Sequence, residues 1–219
     1  GYVISAQARI SRRMAEAAAH GVFLPYREKT QAGLTILDCA GRTLFEARYP
    51  QRAYRRFEAV PRIVVDSLLF IENRELLSSP HPMRNPAIEW GRLARAIADQ
   101  ILARVDPDRP TPGASTLATQ IEKYRHSPGG ITESPQEKLR QMVSATLRAY
   151  LDGQDTRAVR RQLVVDYLDT VPLAARAGYG EVIGIGDGLW VWYGSDLDDI
   201  NRLLRDDAAP LADRALAYR

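Results

Sequence analysis

Residues 113–125 read GASTLATQIEKYR. Small residues and two adjacent hydroxyls, Ser115 and Thr116, lead into a helix predicted over about 115–126 that carries Gln120, Lys123 and Arg125. Two descriptions fit this stretch taken alone. In one, it is an N-capped helix with a basic surface, because a Ser or Thr oxygen satisfies a free N–H of the first turn. In the other it binds an anion, because those N–H groups attract negative charge and a cation two turns on adds charge-assisted hydrogen bonds. The residue types by themselves favour the cap.

The flanking segments are helical as well. Pro61 introduces RIVVDSLLFIENREL, whose apolar positions 64, 65, 68, 69 and 71 fit a mostly buried helix ending in the polar cluster Glu72, Asn73, Arg74 and Glu75. After the loop SSPHPMRNP, Asn85 as N-cap and Pro86 in the first turn predict a helix from about 87 to 104. Downstream, Ser134 and Glu137 have capping-box spacing for a helix from about 135 to 152. A further helix is expected over about 156–170, stopping near Pro172. The glycine-rich run GYGEVIGIGDGLWVWYG and a short helical stretch close the chain. At the other end, residues of about 2–20 read as an alanine-rich basic helix, and 33–49 alternate around Ala40-Gly41 as a small hairpin. The expected class is mainly α, with strand confined near the N-terminus, residues 1–32 as a helical lead-in and 33–219 as the domain.

Composition bounds the function. A chain of 219 residues with 45% hydrophobic and 26% charged residues is long and apolar enough to bury a core. The formal net charge of +3 suits an anionic ligand or a membrane surface, but gives no footing for nucleic acid. Cys39 is the single cysteine, so no internal disulfide forms. No apolar run reaches 18 residues, and the chain starts at Gly1, so a membrane anchor or signal is expected to lie outside this sequence.

Several side chains are candidates for chemistry. Glu72 stands at the end of an apolar helix beside a proline-rich loop, where burial suits a general acid or base. An exposed helix-terminal glutamate is the ordinary alternative, and Glu75 fits that better. Lys138 and Arg140, early in the capped helix, are ordinarily solvent-facing. Trp190, Trp192 and Tyr193 alternate with Val191 and suit core packing more than a groove cover. His20, His81 and His126 lack metal-ligand spacing, and neither a P-loop nor a GxSxG elbow occurs.

In order along the chain, these pieces resemble the motifs of glycosyltransferase family 51, the peptidoglycan glycosyltransferase domain of class A penicillin-binding proteins and monofunctional transglycosylases. The family's E-D-x-x-F, histidine and D-P resemble ENREL at 72–76, His81 and Asn85-Pro86. Its G-A-S-T-I-T-Q-Q-L-x-K-N resembles GASTLATQIEKY at 113–124, the most specific match. Its R-K-x-x-E-x-x-x-A resembles EKLRQMVSA at 137–145, and E-I-L-x-x-Y-L-N resembles QLVVDYLD at 162–169. The final G-x-x-x-A-x-x-Y-F-G resembles the run from Gly180 to Gly194. The likeness covers roughly residues 33–195.

The resemblance implies a lysozyme-like helical fold with a smaller membrane-proximal lobe, acting at the outer, periplasmic face of the bacterial cytoplasmic membrane. It implies polymerisation of lipid II, an undecaprenyl pyrophosphate-linked disaccharide peptide, by inverting transfer. Glu72 matches the base that takes the proton of the acceptor 4-hydroxyl. Asn73, His81, Ser115, Thr116, Gln120, Lys123, Lys138 and Arg140 match positions around the substrate. Among the departures from the pattern, Asn73 replaces Asp, Leu76 replaces Phe, Thr119 replaces one of the paired glutamines, Glu137 replaces Arg, and Gln141 and Gln162 replace glutamates. The last two remove negative charge and weaken the Mg²⁺ or Mn²⁺ site that the resemblance implies, so no metal ligand is assigned. The leading expectation is an active glycosyltransferase. The alternative is a catalytically weakened pseudoenzyme that binds lipid II or glycan, or scaffolds cell-wall synthesis proteins. A lysozyme-like hydrolase is a third reading, against which GASTLATQ argues.

Overall fold

The computed structural model describes residues 12–23, 34–47, 52–77, 80–102, 115–127, 130–132 and 134–219. Residues 1–11 of the expected first helix, most of the stretch joining 1–32 to the hairpin, and Gly113 and Ala114 lie outside them.

The first described helix, α1 (Arg12–Ala19), precedes an antiparallel hairpin of β1 (Leu34–Leu37) and β2 (Thr43–Ala47), paired Leu34 to Ala47 and Ile36 to Phe45. Asp38 builds its turn, its carboxylate accepting from the backbone N–H groups of Ala40 and Arg42, while Gly41 supplies the positive φ of 77°. Apart from isolated β-bridges pairing Pro172 with Ile183 and Arg176 with Gly180, the other described elements are helical: α2 (Arg62–Glu72), α3 (Trp90–Leu102), α4 (Leu117–His126), α5 (Pro135–Ala149), α6 (Arg157–Thr170), α7 (Gly184–Gly188), α8 (Leu197–Arg205) and α9 (Leu211–Tyr218). No described helix is long and apolar enough to cross a membrane.

Helix α6 runs through the core. Val164, Val165 and Leu168 pack with Val65 and Leu69 of α2, with Leu76 beyond it, and with Leu117 and Leu197. Leu163, on another face of α6, packs with Ala118 and Ile121 of α4, Ala145 of α5 and Ala87. One helix thus holds both α2, with Glu72 at its end, and α4.

Two expectations shift. The helix read from 87 begins at Trp90, because Asn85 builds a turn instead. Its Oδ1 accepts from the Ala87 N–H at 2.9 Å and its Nδ2 donates to Thr146 Oγ1 at 3.1 Å. The aromatic run near 190 splits: Val191 is buried, whereas Trp190, Trp192 and Tyr193 are exposed on a π-helical turn over Leu189–Tyr193. The Arg52 guanidinium lies 4.2 Å from the Trp190 ring centroid. Close packing of this glycine-rich region on the chain before α2 explains its composition. A Cβ on Gly186 would stand 2.0 Å from the Arg52 carbonyl oxygen.

Asp169, near the end of α6, accepts the Tyr54 N–H at 2.9 Å and joins α6 to that same chain. Burial pushes its carboxyl up to about 7; the Tyr54 hydrogen bond opposes this and the charge of Asp166 adds to it. The folded protein therefore holds this proton more tightly than the unfolded chain, whose group keeps the ordinary value of 3.8. This contribution to stability is full below pH 3.8 and is lost as pH rises through about 7. An Asp169→Asn variant, which keeps an acceptor for Tyr54 without the charge, is expected to melt higher than the wild type at pH 8. At pH 5 the gap should narrow; thermal denaturation across that range checks it.

Candidate active site

Three segments build the site: the end of α2, the start of α4 and the first turns of α5. Helix α2 stops at Glu72 because Asn73 leaves helical geometry, at φ −161° and ψ 81°. The turn is fixed from two sides. Arg92 Nη1 of α3 donates to the Glu72 main-chain carbonyl at 2.6 Å. The buried Arg160 of α6 donates to the carbonyls of Leu76 and His81, each at 3.2 Å. The Asn73 side chain is buried, and its Oδ1 finds no hydrogen-bond partner among the described residues.

The half-buried Glu72 carboxylate meets Gln120, whose Nε2 donates to Oε2 at 2.6 Å. On the other side of that amide, Tyr124 and Tyr167 donate their hydroxyls to Gln120 Oε1 at 3.0 and 3.4 Å. Burial, foremost, and the nearby Tyr124 and Glu72 push the Tyr167 phenol upward, so it stays a neutral donor.

The two hydroxyls of the opening motif divide the descriptions that fit it. Thr116 is fully buried and caps α4, exchanging hydrogen bonds with Thr119 and donating to the Ala87 carbonyl at 3.2 Å. Ser115 is part-exposed and accepts a hydrogen bond from Lys138 Nζ at 2.5 Å. Burial and, second, the Lys123 ammonium push Lys138 below the ordinary lysine range. Lys123 itself stands 5.7 Å from the Tyr124 ring centroid. Two like charges gathered in a partly buried place destabilise each other until an anion joins them.

Other candidates lie elsewhere. Arg140 is two residues from Lys138 and so points to another side of α5; its guanidinium lies 4.2 Å over the Phe23 ring, which stacks on His126. His81 is exposed in the loop held by Arg160. Glu75 is exposed and pairs with Arg84 at 2.6 Å. Ser134 caps α5, but Glu137 turns away from the capping box and accepts from Ser127 Oγ.

The two Glu-to-Gln positions have definite partners. Gln141 is fully buried, donating to Ser127 at 3.1 Å and Thr132 at 3.0 Å. A glutamate there would bury a charge beside Glu137. Gln162 is exposed and donates its Nε2 to Asp166 Oδ1 at 2.7 Å, while Arg125 stands 3.5 Å from Asp166 Oδ2. Around Asp166 a divalent ion would meet an amide donor and a guanidinium, which is not its preferred oxygen set. Among the described residues, no three of His, Cys, Asp and Glu gather as metal ligands. The residues do not fit the metal that the resemblance implies, and no chemical step here runs through one.

Tyr124, Tyr167, Arg92 and Arg160 were not candidates from the sequence. Tyr124 had a signal, since it follows Gln120 by four residues and shares its helix face. In comparison with known families, the family model described as Transglycosylase fits residues 40–214. No curated protein matches the chain.

Proposed function

The chain belongs to the transglycosylase family, and on that footing we propose that it polymerises lipid II into glycan strands by inverting transfer at the outer face of the cytoplasmic membrane. At family level it is a peptidoglycan glycosyltransferase-like domain acting on extracytoplasmic cell-wall material. The observation that carries the finer reading is the Glu72–Gln120 pair at 2.6 Å, whose Gln120 lies on the helix that also carries Lys123, with Lys138 near that lysine.

One carboxylate oxygen of Glu72, Oε2, is tied to Gln120, and Oε1 has no hydrogen-bond partner among the described residues. Oε1 takes the proton of the acceptor 4-hydroxyl as that oxygen attacks the donor's anomeric carbon from the face opposite the lipid. The anomeric C–O bond breaks, and its electron pair leaves with the pyrophosphate. Negative charge grows on the leaving group in the transition state, where Lys138 and Lys123 stabilise it most. Ser115, which accepts from Lys138 Nζ, stands beside that cation. Asn73 and His81 shape the loop after Glu72 and Thr116 anchors the start of α4, while Arg140, over the Phe23 ring on another side of α5, takes no part in the step. The domain works at the membrane surface, with cell-wall synthesis proteins as neighbours.

The alternative, a pseudoenzyme that only binds lipid II or glycan or scaffolds cell-wall synthesis proteins, draws on Asn73 and on the two glutamines, Gln141 and Gln162. Their hydrogen bonds give both residues structural work apart from Glu72, which supports the enzyme reading. Incubation of the protein in detergent with labelled lipid II is expected to give polymer that a muramidase digests, with or without added divalent metal. Lipid II binding with no polymer in either condition would favour the pseudoenzyme; soluble muropeptides released from sacculi would favour a hydrolase.

A further inference from the structure

Resting on that reading, we propose that Tyr124, with Tyr167 beside it, is a positioning residue that acts through Gln120 to orient the Glu72 base. The hydrogen-bonding inventory fixes the direction. A carboxylate can only accept, so Gln120 must turn its NH₂ toward Glu72 and its Oε1 away from it. An amide has nearly the same shape in both senses, and nothing in its own structure prevents a half-turn that would set Oε1 against the carboxylate. The accept-only carboxylate opposes it, and the phenols secure the same sense: Tyr124 donates to Gln120 Oε1 at 3.0 Å, and Tyr167 stands 3.4 Å from that oxygen and hydrogen-bonds with Tyr124 as well. A flipped amide would set Oε1 against the carboxylate and force the phenols to accept rather than donate.

The relay is compact and comes from two helices. Gln120 and Tyr124 are one turn apart on α4, and Tyr167 reaches across from α6, its ring centroid 6.2 Å from that of Tyr124. Tyr167 lies close enough to Glu72 to be influenced by its charge. Holding Oε2 through a fixed amide leaves Oε1 as the oxygen that faces the acceptor. The carboxylate thus enters the reaction already oriented, and that contributes to the chemical step rather than to binding. Tyr124 also stands at the last position of the second motif, where the family pattern has asparagine, so this arrangement belongs to this chain.

Two measurements test it. In Tyr124→Phe the ring that packs on Tyr167 and meets Lys123 stays and only the hydroxyl goes. Its kcat for lipid II polymerisation is expected to fall roughly three- to tenfold with KM within about twofold, the scale of one lost neutral hydrogen bond. The Tyr124→Phe/Tyr167→Phe pair should fall further. Separately, the Gln120 side-chain amide, assigned by its absence in Gln120→Leu, should show one strongly downfield proton in the wild type that moves toward the free-glutamine position in the tyrosine variants. An unchanged kcat in Tyr124→Phe, or an unmoved amide signal, overturns the positioning role. So does an equal rise in KM with kcat held, which would make Tyr124 a binding residue. If the wild type forms no polymer, the glycosyltransferase reading fails, while the amide signal still decides whether the tyrosines hold Gln120.

Discussion

A Glu72→Gln protein is expected to bind lipid II as the wild type does and to form no detectable glycan. The substitution keeps length and shape, and its amide oxygen can still accept from Gln120 Nε2. What it removes is the group that takes the acceptor's proton. General-base removal alone costs roughly 10²–10⁴-fold in rate, which places residual polymerisation near or below the limit of a gel assay. Because Glu72 ends α2 and is only half-buried, the fold should tolerate the change. Thermal melting of the variant should stay close to that of the wild type, separating lost chemistry from lost structure.

The second large effect is expected at the paired cations. Lys138→Ala should lower kcat/KM by about 10²-fold, the scale for one preorganised donor to developing charge. Lys123→Ala should do comparably, and the double variant should lose less than the product of the two, because both lysines serve one leaving group. The direction for stability is opposite. Lys138 is held below its ordinary range by burial and by Lys123, so removing Lys123 relieves a repulsion in the free protein. Lys123→Ala is therefore expected to be as stable as the wild type, or more so, while losing activity. Steady-state kinetics on lipid II together with melting curves check both signs; a Lys123→Ala protein that is markedly less stable and equally active contradicts this role.

The parts of this molecule legible in its sequence were those set by local rules. The apolar spacing between Pro61 and Glu72 marked α2, Ser134 marked the start of α5, and Ala40-Gly41 marked the hairpin turn. Asn85-Pro86 misled because the same side chain that caps helices also closes turns, and its tie to Thr146, 61 positions away, decided the matter. Distance in sequence also hid the core of the site. Gln120 and Glu72 are 48 residues apart and Gln120 and Tyr167 are 47 apart, so no spacing rule joins them. Of Ser115 and Thr116, residue type could not say which caps and which faces Lys138, since both hydroxyls can do either. Gln141 read as a missing catalytic charge; its burial beside Ser127 and Thr132 makes a neutral side chain the one that fits. Nothing in its own helix marks Arg160, which is buried and holds the loop after Glu72.

The central claim is that Glu72, oriented by Gln120, is the base of a lipid II polymerase. The most direct measurement is the initial rate of polymer formation from labelled lipid II by the wild type and Glu72→Gln side by side, with lipid II binding measured on both. The account predicts polymer from the wild type, none from the variant, and the same affinity for both. Polymer formed at an equal rate by the variant, or bound lipid II left unpolymerised by the wild type, would contradict it.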